Sequence, residues 1–212
     1  ESLRNITERY DGYGNSIRRV MEQKNREPGI KGVVADIIHV QKDYEVAIET
    51  ALGGSIQNIV TDNEQTAKRM IGFLKKNRFG RATFLPLSNI SGRGGLNQRD
   101  VLSEPGVVGT ANTLVNADKE YSELVMYLLG RVLVVDNIDH AIAIGKKYRH
   151  SLRMVTIEGE SLSPGGSMTG GAFKNNSNLL GRRREIEELE RRVGILRKEL
   201  EETQKSIGEN RS

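Results

Sequence analysis

The sequence has no cysteine and little aromatic content, 5% over 212 residues. Without cysteine there is no disulfide, no thiolate metal site and no thiol nucleophile, and that usage fits a reducing compartment. No stretch reaches the ~18 apolar residues of a membrane span, and no segment resembles a signal peptide, so neither a span nor secretion is indicated. Histidine is scarce as well. His39, His140 and His150 are dispersed, with no partner at the H-x-x-x-H spacing of a metal site. Asp36, Asp62 and Asp136 read as strand-end and helix-capping residues rather than an acid–base pair. Ser161, Ser163 and Ser167 lack the G-x-S-x-G context of an activated serine. No residue stands out as catalytic. What the chain does have is charge. Hydrophobic residues make up 36% and charged residues 28%, as expected of a folded core with charged helical extensions. The net charge of +4 informs only through where it lies. A start at Glu1 rather than Met points to a piece of a longer protein.

Residues 1–25 read as helix, with Leu3, Ile6, Tyr10, Tyr13, Ile17 and Val20 forming an apolar seam at spacings of three and four. Gly12 and Gly14 weaken its middle, and Pro28-Gly29 ends it. β-Branched content predicts a strand over 32–38, followed by a helix over about 44–52 closed by Gly53-Gly54. A strand over 56–61, a helix capped by Asp62 or Asn63 and running to about 77, and a strand over 81–85 ended by Pro86 complete the first half. Residues 87–106 are rich in Ser, Gly, Asn and Arg and read as a loop between two lobes. The pattern then returns: helix over 121–129, Gly130, strand over 132–135, Asp136-Asn137, helix to about 149, and strand over 153–157. Helix, Gly, strand, Asp-Asn, helix and Arg-led strand recur in one order, which reads as a diverged duplication giving two related α/β lobes.

Near the end of the folded part stands Pro164-Gly165-Gly166-Ser167-Met168-Thr169-Gly170-Gly171. A phosphate-cradling loop would need a Lys and a Ser or Thr directly after its last glycine, and here Ala172-Phe173 follow. A dinucleotide fingerprint would open a helix early in a βαβ unit, and this segment comes late. A mobile surface loop and a glycine-rich edge pressed against another subunit remain open. From Leu179 onward, Ile186, Leu189, Val193, Leu196, Leu200 and Ile207 keep a heptad register, with Arg182 and Thr203 as imperfect members. Glu187–Arg191, Glu188–Arg192 and Glu201–Lys205 stand four apart on its outward positions. Helical arms thus leave the folded part at both ends and are expected to pair antiparallel within one chain. Arg182, Arg183 and Arg184 stand where the second arm begins, with Lys174 just before, and Lys146, Lys147 and Arg149 end the preceding helix. Three arginines at a helix start oppose the macrodipole, which favours a phosphate-contacting patch over a purely structural role. No aromatics are interleaved with them, so base stacking is not implied.

Several segments now carry a resemblance. They are Gly32-Val33-Val34-Ala35-Asp36, Ala47-Ile48-Glu49-Thr50-Ala51-Leu52-Gly53-Gly54, Gln57-Asn58-Ile59-Val60 and Gly80-Arg81-Ala82-Thr83-Phe84-Leu85-Pro86-Leu87. Val155-Thr156-Ile157-Glu158-Gly159, the glycine segment and Leu179-Leu180-Gly181-Arg182 continue the series. In this order, over about residues 12–185, the chain closely resembles the hinge domain of prokaryotic SMC (structural maintenance of chromosomes) proteins with stubs of coiled coil attached. The resemblance implies a mixed α/β hinge over 12–181, with lobes at about 12–95 and 106–181 and coiled-coil stubs at 1–11 and 182–212. It implies a constitutive homodimer, each contact joining the N-terminal lobe of one subunit to the C-terminal lobe of the other around a small opening. Gly53 and Gly54, and Gly165, Gly166, Ser167, Met168, Thr169, Gly170 and Gly171, match the family's interface positions. It further implies sequence-independent DNA contact near the coil junction, a cytoplasmic, chromosome-associated setting and an ATPase confined to head domains outside these residues. No cofactor, metal, membrane or small-molecule substrate is expected. The chain departs from its relatives after Gly171, where a single Lys174 precedes Asn175 and Asn176 instead of a lysine cluster. The competing reading is a small-molecule-binding enzyme domain built on the glycine loop 164–171.

Overall fold

The structure, a computed structural model, describes residues 13–92, 94–172 and 179–209. Helix α1 (Asn15–Met21) leads to β1 (Ile30–Val33), the short helix α2 (Val34–Ile37), β2 (His39–Val40) and α3 (Glu45–Leu52). Strand β3 (Ile59–Thr61) then runs through α4 (Glu64–Asn77) to β4 (Phe84–Pro86), which lies parallel beside it, while β1 pairs antiparallel on the other side. The first sheet therefore has the order β1-β3-β4.

The second half repeats this plan. Strand β5 (Val107–Thr110) is followed by β6 (Val115–Asn116) and α5 (Ser122–Leu129). Next, β7 (Val132–Val135) runs through α6 (Ile138–Lys147) to a parallel β8 (Arg153–Thr156), and β5 pairs antiparallel with β7. Two short strands, β9 (Ser161–Leu162) and β10 (Met168–Thr169), extend the sheet to the order β10-β9-β8-β7-β5. The correspondence extends to details. Glu27-Pro28-Gly29-Ile30-Lys31-Gly32 and Glu104-Pro105-Gly106-Val107-Val108-Gly109 stand 77 residues apart, as do Tyr44 and Tyr121, and Gly53 and Gly130. Gly32 and Gly109 sit at the register slips of β1 and β5 with φ of 148° and 153°, a conformation only glycine adopts readily. The two halves meet through a ribbon in which β2 and β6 pair antiparallel.

Burial explains the continuous apolar runs. Val132 and Val134 of β7 pack, with Val155, into a core shared with α3 and α5, whereas Leu133, Val135 and Met154 pack against α6 through Ala141 and Ile144. Both faces of the parallel pair are covered, so no polar alternation is needed. Each crossover helix is capped by asparagine: Asn63 accepts from the N–H of Gln65 and Thr66, and Asn137 from that of His140. The aspartates before the caps reach one turn further, Asp62 to the Thr66 hydroxyl at 2.6 Å and Asp136 to His140 Nδ1 at 2.7 Å. These contacts hold both carboxyls below the usual range.

Several expectations change. The strand expected over 32–38 stops at Val33, because Val34 donates to Asn58 O and Ile38 to Val34 O, closing one helical turn. Val34, Ala35 and Ile37 are buried there, so packing overrides β-branched propensity. The helix expected to reach Pro28 ends at Met21, and Gln23 and Lys24 continue in tighter turns bonded to Val20 and Met21. Residues 53–57, partly expected as strand, form a 3-10 turn. Pro86 closes β4 from within rather than stopping the strand before it, which is tolerated at a sheet edge where its missing N–H faces no partner. The last crossover helix ends at Lys147, and Arg149 and His150 take positive φ beyond it. Strands β2, β5, β6, β9 and β10 fall outside the strands expected from the sequence.

Helix α7 (Leu179–Glu209) spans 31 residues, about 46 Å. Its first turn, Leu179 to Gly181, is buried, and beyond it the heptad residues Leu189, Val193, Leu196, Leu200 and Ile207 are exposed. The expected partner arm, 1–11, lies outside the described residues.

Candidate functional site

The glycine segment forms the edge of the five-stranded sheet. Strand β10 pairs with β9 through Met168↔Leu162 and Thr169↔Ser161, and among the described residues no strand lies on its other side. The turn between them is closed by Ser163 N–H donating to Ser167 O and Gly166 N–H to Ser163 O, and Gly165 N–H ties it to His150 O at 2.8 Å. Every residue from Pro164 to Ala172 is exposed, and Met168 is 50% exposed. A Cβ added at Gly165 or Gly171 would meet no atom of the described residues within 4 Å, and the same holds for Gly53 and Gly54 at the end of α3. Gly130, the counterpart of Gly53, is different: a Cβ there would lie 2.6 Å from Met126 O. Packing within the chain therefore accounts for Gly130, and positive φ accounts for glycine at Gly53, Gly165, Gly166 and Gly171, which leaves Gly54 without either reason. An unpaired, apolar-tipped edge strand is a template for another chain.

As a phosphate cradle the loop fares poorly. The cavity behind it, between His150, Leu152, Met154, Leu162 and Met168, holds about 50 Å³, far below the ~300–1,000 Å³ of small-molecule clefts. Among the described residues no group of three His, Cys, Asp or Glu side chains is placed to hold a metal ion.

At the other end of α3, the arm is seated on the first half of the chain. Leu179 N–H, at the start of α7, donates to Glu49 Oε1 at 3.1 Å. Burial pushes the Glu49 carboxyl up to about 7, against the lowering effect of that hydrogen bond, and the neighbouring Glu45 adds to the rise. Arg184 pairs with the buried Glu45 and reaches Glu188 at 3.2 Å. Arg183 lies 3.1 Å from Asp36 and 3.5 Å from Glu187, which also faces His39 at 3.6 Å. The macrodipole objection to three arginines is thus met by carboxylates on α2, α3 and α7 itself. Arg183 and Arg184 turn toward the body of the domain, whereas Arg182 is exposed. Lys147 pairs with Glu104, and Lys146 and Arg149 are exposed. Lys174 lies outside the described residues.

Two lobes built on one plan, a glycine-lined open sheet edge and a long helical arm rooted beside them match a known domain. The family model described as SMC proteins Flexible Hinge Domain matches residues 27–145. The chain belongs to this hinge family. It is 42% identical over 209 residues to the chromosome partition protein Smc of Bacillus subtilis, covering 93% of this chain and 18% of that protein. Against the chromosome partition protein Smc of Lactiplantibacillus plantarum the identity is 39% over 203 residues, covering 94% and 17%. The chain thus spans less than a fifth of the length of these relatives. Among solved structures, an asymmetric dimer of the Geobacillus stearothermophilus SMC hinge domain superposes with a TM-score of 0.82 at 38% identity. That match covers 92% of this chain and 80% of the other. The Pyrococcus furiosus SMC hinge domain gives 0.63 at 31%, covering 82% and 92%. The hinge is a mixed α/β structure with a C-terminal helix, as expected. Among its described residues no helix is long and apolar enough to cross a membrane.

Proposed function

We propose that this hinge is the homodimerisation module of a chromosome-partitioning SMC protein, with residues 12–181 as the hinge body and 1–11 and 182–212 as roots of two coiled-coil arms. Two copies join through two equivalent contacts, each between the first lobe of one and the glycine edge of the other. Gly53, Gly54 and Gly165–Gly171 lie in these contacts, where the missing side chains let backbones approach. The module performs no chemistry; ATP hydrolysis belongs to head domains elsewhere in such a protein, and the whole works in the cytoplasm on the chromosome. The observation that carries this reading is the exposed edge β10, with no strand beside it among the described residues, together with the exposed Gly54, which neither a positive φ nor a described neighbour within 4 Å requires.

Contact with DNA phosphates is the second part of the proposal. Of the basic residues near the arm root, Arg182, Lys146 and Arg149 are exposed and carry the contact, joined by Lys174. Arg183, Arg184 and Lys147 contribute less, because each already faces a carboxylate. Such contacts position a duplex without reading its sequence.

Gly170→Lys tests the dimer. Gly170 has ordinary φ, and its added Cβ would lie 3.1 Å from the flexible side chain of Glu160, whose charge suits a lysine. The variant is expected to keep its circular dichroism spectrum and sediment as a monomer. A variant that remains dimeric removes β10 from the interface.

A further inference from the structure

Gly53 and Gly54 stand at a corner whose two ends are held by different lobes. The far end of the 3-10 turn 53–57 is pinned within the first lobe, where Asn58 N–H donates to Ser55 O and Val34 N–H to Asn58 O, both at 3.0 Å. The near end is the last turn of α3, and there a residue of the second lobe intervenes. Arg153 Nη2 donates to Ala51 O at 2.9 Å, across 102 residues of sequence.

The strand register puts Arg153 there. It pairs with Val132 of β7 and stands two residues before Val155, so it shares the sheet face of these valines, the face that packs on α3 and α5. Ala51 is 1% exposed, and its carbonyl is among the last of α3, which find no donor within the helix. A guanidinium suits this place twice over: it brings a charged donor to a buried acceptor, and its charge lies at the negative end of the helix dipole. Among the described residues no carboxylate pairs with it. Two residues after Ala51, Gly53 turns the chain with a φ of 53° into Gly54. The bond from Arg153 therefore fixes where the corner begins, while Arg153 itself lies on β8, two strands in from the open edge β10.

We propose that Arg153 is a positioning residue for dimerisation: from the second lobe it sets the Gly53–Gly54 corner that the first lobe offers to a partner. This rests on the interface proposed above. Arg153 acts through Ala51 rather than by contact with the partner. Without its bond the last turn of α3 is free to take several orientations, and a close backbone contact must select one of them, which weakens association.

Two blocked versions of the full 212-residue chain test this. Gly54→Lys closes the corner and Gly170→Lys closes the edge, so neither chain is expected to dimerise alone. Mixed, they can form one contact, between the intact corner of the Gly170→Lys chain and the intact edge of the Gly54→Lys chain. The other contact sets lysine against lysine. Arg153→Met keeps an unbranched stem and removes the donor. Added to the Gly170→Lys chain, it is expected to weaken the mixed pair about tenfold in sedimentation velocity, the loss of one charge-assisted bond. Arg153→Lys in that chain is expected to recover part of the loss. Added to the Gly54→Lys chain, whose corner is already closed, Arg153→Met is expected to change nothing. A mixed pair that stays as tight with Arg153→Met in the Gly170→Lys chain overturns the proposal and leaves the interface standing. Equal weakening from either chain overturns it too, since a general loss of structure would act that way. Blocked chains that still dimerise alone, or that fail to associate when mixed, overturn the interface reading and this proposal with it.

Discussion

Gly54→Glu separates the proposed interface from the fold. Gly54 lies in the 3-10 turn after α3, is exposed, has ordinary φ and would present a Cβ to empty space. Within one chain the substitution therefore introduces neither clash nor strain, and loss of glycine's unfolded-state freedom stabilises by about 0.5 kcal/mol. Across a close backbone contact the same side chain is an unpaired buried carboxylate, costing about 3 kcal/mol. Two equivalent contacts double this to about 6 kcal/mol, roughly four orders of magnitude in Kd. A nanomolar dimer becomes one of tens of micromolar. Sedimentation velocity at low micromolar concentration should find the parent as a dimer and Gly54→Glu as a monomer with an intact far-ultraviolet spectrum. A Gly54→Glu chain that sediments as a dimer would refute the reasoning, for it would show that no partner backbone approaches this corner.

Glu49→Gln should raise the melting temperature by a few degrees at pH 8 and leave it unchanged near pH 4. Because its folded pKa is raised from 4.5 to about 7, the carboxyl's favourable contribution is complete below about pH 4.5 and is lost as pH rises through 7. The amide keeps an acceptor for Leu179 N–H and never ionises; a differential scan at the two pH values checks this. Arg184→Gln should lower stability by roughly 2 kcal/mol in urea, less than a fully orphaned charge costs because the guanidinium is partly exposed while Glu45 is buried. Lys146→Glu, Arg149→Glu and Arg182→Glu together should weaken mixed-sequence DNA binding and flatten its salt dependence at unchanged dimer mass, measured by fluorescence anisotropy at several salt concentrations. Asn63→Ala and Asn137→Ala should each cost about 1 kcal/mol, since each removes the side-chain cap of a crossover helix.

Much of the fold was legible where local signals and packing agree. The Asp-Asn pairs announced both crossover helices, and the runs at 59–61 and 132–135 announced the parallel strands, because a strand buried on both faces has no reason to alternate. Boundaries failed where tertiary contacts intervened. Val34 to Ile37 carry strand-like residues, yet the turn they make is fixed by Asn58 O and by burial from distant elements. The signal for β5 is present in the sequence, since Glu-Pro-Gly-x-x-Gly recurs at a 77-residue offset at the starts of β1 and β5, whereas the two-residue β6 carries no such mark. The glycine edge was visible as composition, but its openness was not, because emptiness beside a backbone belongs to the folded chain. Likewise Arg183 and Arg184 read as free cations until the fold brought Asp36 and Glu45 to them from residues far away in sequence.

The most direct test of the central claim is the molar mass of the unmodified chain by light scattering over a dilution series from micromolar to nanomolar concentration. The account predicts twice the 23.6 kDa of one chain across the micromolar range, with dissociation, if reached, only at the dilute end. A mass of one chain at micromolar concentration contradicts it.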